Sequence, residues 1–149
     1  MKLFFALILS ISFTSIQAQE NLNLKNGIAA EGYDVVAYFN NQALKGNKKY
    51  AYKFEYAIYQ FSSSKNLETF KKAPEMYIPQ YGGYCAYAVA VKNEKVGVNP
   101  KTFQILDNKL YLFYDSWGVN TLDKWNEENS KQLQNQADTN WKNIVKKKS

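Results

Sequence analysis

Cys85 is the residue of this 149-residue chain best suited to chemistry, and it is the single cysteine. Histidine and arginine are both absent, so Cys85 is the one side chain that could attack a substrate or change its oxidation state. It follows Gly82 and Gly83 in residues 77–88, which read Tyr-Ile-Pro-Gln-Tyr-Gly-Gly-Tyr-Cys-Ala-Tyr-Ala. Catalysis by a Ser-His or Cys-His pair is excluded, because each of these needs a histidine.

Three roles for Cys85 fit the sequence. In the first, its thiolate holds Cu(I) or another thiophilic ion with Met76 as a second ligand, and so few soft ligands allow at most one Cu(I) and no tight Zn(II) site. In the second, Cys85 is oxidised and then reduced by an external thiol, since the chain has no second cysteine. In the third, Cys85 only packs within a non-catalytic domain whose tyrosines line a ligand pocket or a protein interface. The residues predicted to contact a ligand are Tyr77, Gln80, Tyr81, Gly82, Gly83, Tyr84 and Tyr87.

The two chemical roles require a sulfur atom that solvent can reach. Residues 84–90 are rich in alanine, which favours a helix. If that helix begins at Gly83, Cys85 lies in its first turn, where free amide protons and the helix dipole favour a thiolate. We therefore expect an accessible Cys85. A single cysteine with neither a base nor a resolving thiol is a poor catalyst, so binding is favoured over enzymatic activity.

Residues 1–18 have the pattern of a cleaved secretory signal peptide. Lys2 supplies a positive start, residues 3–13 form an apolar run too short to span a bilayer, and Ala18 ends a small-residue exit. The sequence therefore predicts an exported protein, periplasmic or extracellular, with no transmembrane span. After the signal peptide we expect a polar lead over residues 19–26, one domain over 27–145 and a basic tail over 146–149.

The charge pattern limits the partners. The formal net charge is +6, and every cation is a lysine. The planar guanidinium that grips phosphate is absent, and the lysines are scattered except for the run at residues 146–148. We therefore expect no nucleic-acid partner. The partners compatible with the sequence are a small ligand, a soft metal ion or an external thiol.

Alternating apolar and aromatic residues predict β-hairpins. Residues 50–61 contain a reversal near Glu55, and strands over 102–106 and 110–114 flank a polar turn. A further strand is predicted over residues 32–39, which are dense in β-favouring side chains.

Helical signals follow the first predicted hairpin and recur near the C-terminus. Serine N-caps and Pro74 bracket a short helix over residues 64–72. Asn120 is a capping residue for a later segment, and a last segment repeats apolar residues at Leu133, Ala137, Trp141 and Val145. The expected fold class is α+β: a small antiparallel sheet of hairpins, with a short helix after the first half and C-terminal helices packed on one face.

Several segments resemble the YHS-domain family, in its exported branch. They read Gly-Tyr-Asp-Val-Val-Ala-Tyr-Phe at residues 32–39, Tyr-Gln-Phe-Ser-Ser at 59–63, Pro-Glu-Met-Tyr at 74–77, Pro-Gln-Tyr-Gly-Gly-Tyr-Cys-Ala-Tyr-Ala-Val-Ala at 79–90 and Lys-Leu-Tyr-Leu-Phe-Tyr at 109–114. The resemblance extends over residues 27–141, and 79–90 is its most specific part. It implies one YHS-like domain and brings no established reaction with it.

This resemblance bears on metal binding in two ways. Metal-associated members carry a histidine and two cysteines where this chain has Gln60, Ser62 and Asn66, and amide or hydroxyl groups do not replace soft ligands. The metal role of the wider family is therefore not expected at these positions. Some exported relatives carry selenocysteine where Cys85 stands, which implies a reactive or soft-ligand role for Cys85.

Overall fold

Residues 18–147 are described by a computed structural model of the chain. The predicted signal peptide, apart from Ala18, and the last two residues of the basic tail lie outside the described residues. The strands are β1 (Leu24–Lys25), β2 (Ile28–Ala29), β3 (Asn47–Phe54), β4 (Ala57–Phe61), β5 (Asn99–Leu106), β6 (Lys109–Phe113), β7 (Asp115–Ser116) and β8 (Val119–Asn120). The α-helices are α1 (Ser64–Lys72), α2 (Ala86–Lys92), α3 (Thr121–Glu127) and α4 (Ser130–Lys146). Short 3-10 helices occupy Ala30–Gly32, Ala37–Asn40, Pro74–Met76 and Gln80–Gly83.

The larger sheet has the strand order β1, β2, β4, β3. The hairpin predicted within residues 50–61 is confirmed, because β3 and β4 pair antiparallel around a turn at Glu55, whose φ is 50°. β1 and β2 form another hairpin, which joins the sheet through a parallel pairing of Ile28 with Ile58. The polar lead of residues 19–26 therefore contributes β1 to the folded body, ahead of the boundary predicted at residue 27.

The helix α1 has the bounds that the sequence predicts. The Ser63 hydroxyl accepts a hydrogen bond from the Asn66 amide at 3.1 Å and so caps the helix. Phe70 of α1 is fully buried, with ring centroids 4.9 Å from Tyr59 and 5.0 Å from Phe61 of β4. An aromatic cluster therefore fixes α1 against the sheet.

The strand predicted over residues 32–39 is wrong. The Asp34 carboxylate accepts hydrogen bonds from the amides of Val36 and Ala37, at 2.9 and 3.1 Å, and this turn leads into a 3-10 helix. Tyr38 is fully buried. The segment does not form a strand, because the hydrogen bonds of the aspartate side chain compete with strand pairing. Its β-favouring side chains pack in the core instead.

The hairpin of β5 and β6 is as predicted, and β6 contributes to two hydrophobic cores. Successive side chains of a strand point to opposite faces. Leu110 and Leu112 belong to the first core, which contains Phe70 of α1. Tyr111 and Phe113 belong to the second core, which is built with α2, α3 and α4.

The C-terminal helices follow the predicted pattern. The Asn120 side chain accepts hydrogen bonds from the amides of Leu122 and Asp123 and so caps α3. Trp125 of α3 and Ala137 of α4 are fully buried in the second core. Both helices are therefore anchored by their apolar faces.

The chain is thus an α+β protein. Among the described residues, the strand pairs are antiparallel apart from the contact of β2 with β4. The helices α3 and α4 pack against the side of β6 that faces the second core. Within residues 18–147, none of the helices combines the length and the hydrophobicity that a membrane span requires.

Candidate functional site

Cys85 lies at the junction between a 3-10 helix and α2. Its amide donates a hydrogen bond to the Val96 carbonyl at 2.9 Å, and its backbone forms a bridge to Leu112 of β6. The helix start predicted at Gly83 is wrong, because Gly83 has a φ of 82° and α2 begins at Ala86. Cys85 therefore immediately precedes the first turn, and its ψ of 115° lies outside helical geometry.

The Cys85 thiol is fully buried, at 0% exposure. Its sulfur lies 3.3 Å from the Thr121 hydroxyl oxygen. That hydroxyl donates its one proton to the Tyr114 carbonyl at 2.8 Å, so the thiol is the donor in its contact with Thr121. The expectation of an accessible Cys85 is therefore wrong in this structure, and the sulfur has the surroundings of a packed thiol.

A cavity of about 300 Å³ lies beside Cys85, and we call it the Cys85 cavity. Its walls come from α2 with the residue before it, from the loop after α2, and from the segment that runs through β8 into α3. The polar lining residues are Cys85, Tyr87, Lys92, Tyr114, Thr121 and Lys124. The apolar lining residues are Ala88, Val96 and Val119.

The charged side chains that line the Cys85 cavity are both lysines. Lys92 of α2 and Lys124 of α3 are exposed, and neither has an ion pair or a side-chain hydrogen bond to another residue within 18–147. The Tyr87 hydroxyl donates a hydrogen bond to the Glu128 carboxylate at 2.7 Å. This hydrogen bond is the main reason why the pKa of Tyr87 is raised to about 12. The Glu128 carboxylate is thus already hydrogen-bonded to Tyr87.

The hairpin of β7 and β8 borders the cavity and carries an exposed tryptophan. Its turn consists of Trp117 and Gly118, with φ angles of 53° and 73°. Trp117 is 94% exposed, and Val119, which lines the cavity, is 38% exposed. This hairpin therefore contributes an apolar residue to a lining that also contains two lysines.

The backbone of Gly82 and Gly83 meets the N-terminal segment, which we define as residues 18–23. The Asn23 amide donates to the Gly82 carbonyl at 2.8 Å, and the Asn23 side chain donates to the Gly83 carbonyl at 3.0 Å. A Cβ atom on Gly82 would lie 1.9 Å from the Asn21 carbonyl oxygen. The two glycines, predicted to contact a ligand, thus admit a segment of their own chain.

Three other residues predicted to contact a ligand lie elsewhere. Tyr77 packs in the first core, with its ring centroid 6.4 Å from that of Phe70. Gln80 and Tyr81 border a separate cleft. The Tyr81 hydroxyl donates to Asp138 at 2.8 Å, and burial, followed by this hydrogen bond, raises the pKa of Tyr81 far above its ordinary value.

Tyr84 and Met76 also lie apart from the Cys85 cavity. The Tyr84 hydroxyl donates to the Leu22 carbonyl at 3.3 Å, in the N-terminal segment. Met76 is 62% exposed and does not line the cavity. Of the predicted site residues, the structure brings Cys85 and Tyr87 together at one cavity.

Ser62 and Asn66 stand at two positions where metal-associated YHS domains carry soft ligands, and both contact Asp34, which is fully buried. The Ser62 amide and hydroxyl donate to one Asp34 oxygen at 2.8 and 2.6 Å, and the Asn66 side chain donates to it at 2.7 Å. The Gln60 side-chain oxygen instead lies close to Gly32. Hydrogen bonds of this number allow a carboxylate to be buried without a metal. Within residues 18–147, no group of three or more histidine, cysteine, aspartate or glutamate side chains could hold a metal ion.

Sequence reasoning missed most of the lining of the Cys85 cavity. Lys92, Tyr114, Thr121 and Lys124 belong to segments that carry no chemical motif, and folding alone brings them to Cys85. Gly118 was an available signal, because glycine is typical of a two-residue hairpin loop, and this hairpin places Val119 at the cavity.

Comparisons of the chain with protein-family models, with curated proteins and with solved structures gave no match. The fold and the site define a class of protein in physical terms. It is an α+β domain with a small, partly apolar and basic cavity next to a buried thiol.

Proposed function

We propose that this chain is an exported, YHS-like binding domain that holds a small organic ligand in the Cys85 cavity and catalyses no reaction on it. The observation that carries the proposal is the cavity of about 300 Å³, in which polar groups from separate segments share a lining with apolar side chains. Small-molecule sites are concave, mostly apolar and supplied with a few placed polar groups, and they begin near this volume.

The surroundings of Cys85 favour binding over catalysis. A nucleophilic thiol normally has a base within hydrogen-bond reach. Here the hydrogen-bond partner of Cys85 is the hydroxyl of Thr121, which already donates to a carbonyl, and the cavity lining contains no carboxylate. Cys85 and Thr121 therefore serve as a fixed part of the cavity wall.

A soft metal ion is the second candidate ligand, because Cys85 borders the cavity. Cys85 is the one sulfur ligand in that lining, which limits the site to at most one Cu(I) of low coordination number. Titration with Cu(I) against a competing chelator checks this candidate, with Cys85→Ser as the matched variant. Equal Cu(I) binding by Cys85→Ser would exclude Cys85 as the ligand.

The binding proposal is tested by NMR titration of the ¹⁵N-labelled protein with three six-carbon probes: 1-hexanol, hexanoate and hexylamine. We expect at least one probe to shift the amide signals of α2 and of residues 114–124. Ala88→Met places a larger side chain at the cavity and should reduce binding, whereas Ala51→Met on the exposed face of β3 should not.

A second variant, Val119→Phe, places a larger side chain in the cavity lining without changing a buried residue. It provides the same test if Ala88→Met does not fold. The proposal fails if no probe shifts these signals, or if the folded cavity variants bind as the unmodified protein does.

A further inference from the structure

We infer that the ligand of the Cys85 cavity is a small organic anion with an apolar body, whose charged group is held by Lys92 and Lys124. This inference rests on the proposed function and goes further, because it assigns the chemical class of the ligand. Three features of the cavity support it.

The first feature is the position of the two lysines. Lys92 is the last residue of α2, and Lys124 lies in α3, so two helices bring like charges to one cavity. Neither ammonium group is neutralised by an ion pair with another residue in the described part of the chain. Two positive charges at one lining attract an anion.

The second feature is the excess of hydrogen-bond donors. The two lysine ammonium groups are hydrogen-bond donors that cannot accept. The hydroxyl of the lining residue Tyr114 can also donate, and it has no hydrogen-bond partner within residues 18–147. Thr121 and Tyr87 already donate to other groups, to the Tyr114 carbonyl and to Glu128 respectively. The unpaired hydrogen-bond donors of the lining therefore match a ligand that mainly accepts hydrogen bonds.

The third feature is the arrangement of acids and apolar groups. Glu128 contacts the lining residue Tyr87 but does not itself line the cavity, so the lining contains two lysines and no carboxylate. Ala88, Val96 and Val119 provide an apolar surface next to the charged group. A purely inorganic anion would leave this surface unused, whereas an anion with an apolar body would bury it.

The three six-carbon probes differ in charge and share their apolar chain, so their affinities at constant ionic strength test the inference. We expect hexanoate to bind about tenfold more tightly than 1-hexanol, because its carboxylate accepts charge-assisted hydrogen bonds from the two lysines. Solvent partly screens these exposed lysines, which keeps the preference modest. Hexylamine, as its ammonium ion, should bind most weakly. The double variant Lys92→Gln, Lys124→Gln should lose the preference for hexanoate and keep its affinity for 1-hexanol.

The matched control is Lys65→Gln, Lys72→Gln on α1, which lowers the net charge equally with exposed lysines that do not line the cavity. Retention of the hexanoate preference by this control supports the inference. Loss of the preference in the control would assign it to net charge and overturn the inference. Binding of 1-hexanol at the cavity as tightly as hexanoate would also overturn it while leaving the proposed function intact, and absence of all binding there would end both.

Discussion

Replacement of Gly82 by alanine is expected to break the contacts of the N-terminal segment with Gly82 and Gly83. Gly82 has a φ of 61°, and its added Cβ atom would lie 1.9 Å from the backbone oxygen of Asn21, far inside any van der Waals contact. The obstacle is backbone on both sides, so neither side can rotate away. We therefore expect residues 18–23 to move and their contacts with Gly82 and Gly83 to be lost.

Gly118 provides a matched control for the size of this effect. Its φ is 73°, and a Cβ atom there would meet no atom within 4 Å. Gly118→Ala therefore reports the backbone strain alone, which is about 1–2 kcal/mol for an L-residue in the left-handed region. Gly82→Ala adds the loss of two hydrogen bonds made by Asn23, at about 1 kcal/mol each. The expected difference between the two variants is thus about 2 kcal/mol, obtained from urea unfolding at neutral pH.

Amide hydrogen exchange locates the cause of this difference. The Asn23 amide donates to the Gly82 carbonyl, so it should exchange more than about tenfold faster in Gly82→Ala and remain unchanged in Gly118→Ala. Equal free energies of unfolding for the two variants, or an unchanged exchange rate at Asn23, would refute the reasoning.

Three further predictions concern other buried groups. Asp34→Ala should lower the free energy of unfolding by about 3–5 kcal/mol, because it leaves several buried donors without an acceptor, whereas Asn66→Ala removes one donor and should cost about 1–2 kcal/mol; similar urea midpoints for the two variants would contradict this. Cys85 is fully buried, so iodoacetamide should label it more than about 100-fold more slowly in the folded protein than in urea, and equal rates would show that the thiol is open to solvent. Burial, and then Glu55, raises the pKa of Tyr59 from 10.0 to about 12, so folding retains a proton that the unfolded chain loses above pH 10. The contribution of Tyr59 to the free energy of unfolding is complete below pH 10 and is lost between pH 10 and 12. In urea unfolding at a series of pH values, Tyr59→Phe should flatten this decrease, whereas Tyr56→Phe at the exposed turn should not.

The elements with local signals could be predicted from the sequence. α1 has a serine at its cap, a proline soon after its end and an apolar edge, and these fix its bounds without reference to the rest of the chain. The hairpins of β3 with β4 and of β5 with β6 follow from alternation on either side of a polar turn. Capping by Asn120 likewise marks the start of α3.

Residues 32–39 show where local pattern was insufficient. Their composition favours a strand, yet Asp34 holds its own neighbours in a turn and accepts hydrogen bonds from Ser62 and Asn66. Those partners lie about thirty residues away, as their separations of 28 and 32 show. The outcome depended on burial of the carboxylate, which only the folded chain provides.

The sequence by itself determined that the chain has a single cysteine, Cys85, and that Gly82 and Gly83 lie just before it. Only the tertiary structure decided what surrounds them. Residues 18–23 occupy the space that the glycines leave, and Thr121 and Lys124 approach Cys85 from a segment more than thirty residues later, at a separation of 36 for Thr121. The walls of the cavity come from segments that are far apart in the sequence. Packing of β6 and the helices in the second core fixes their positions, and no local pattern of residues encodes that packing.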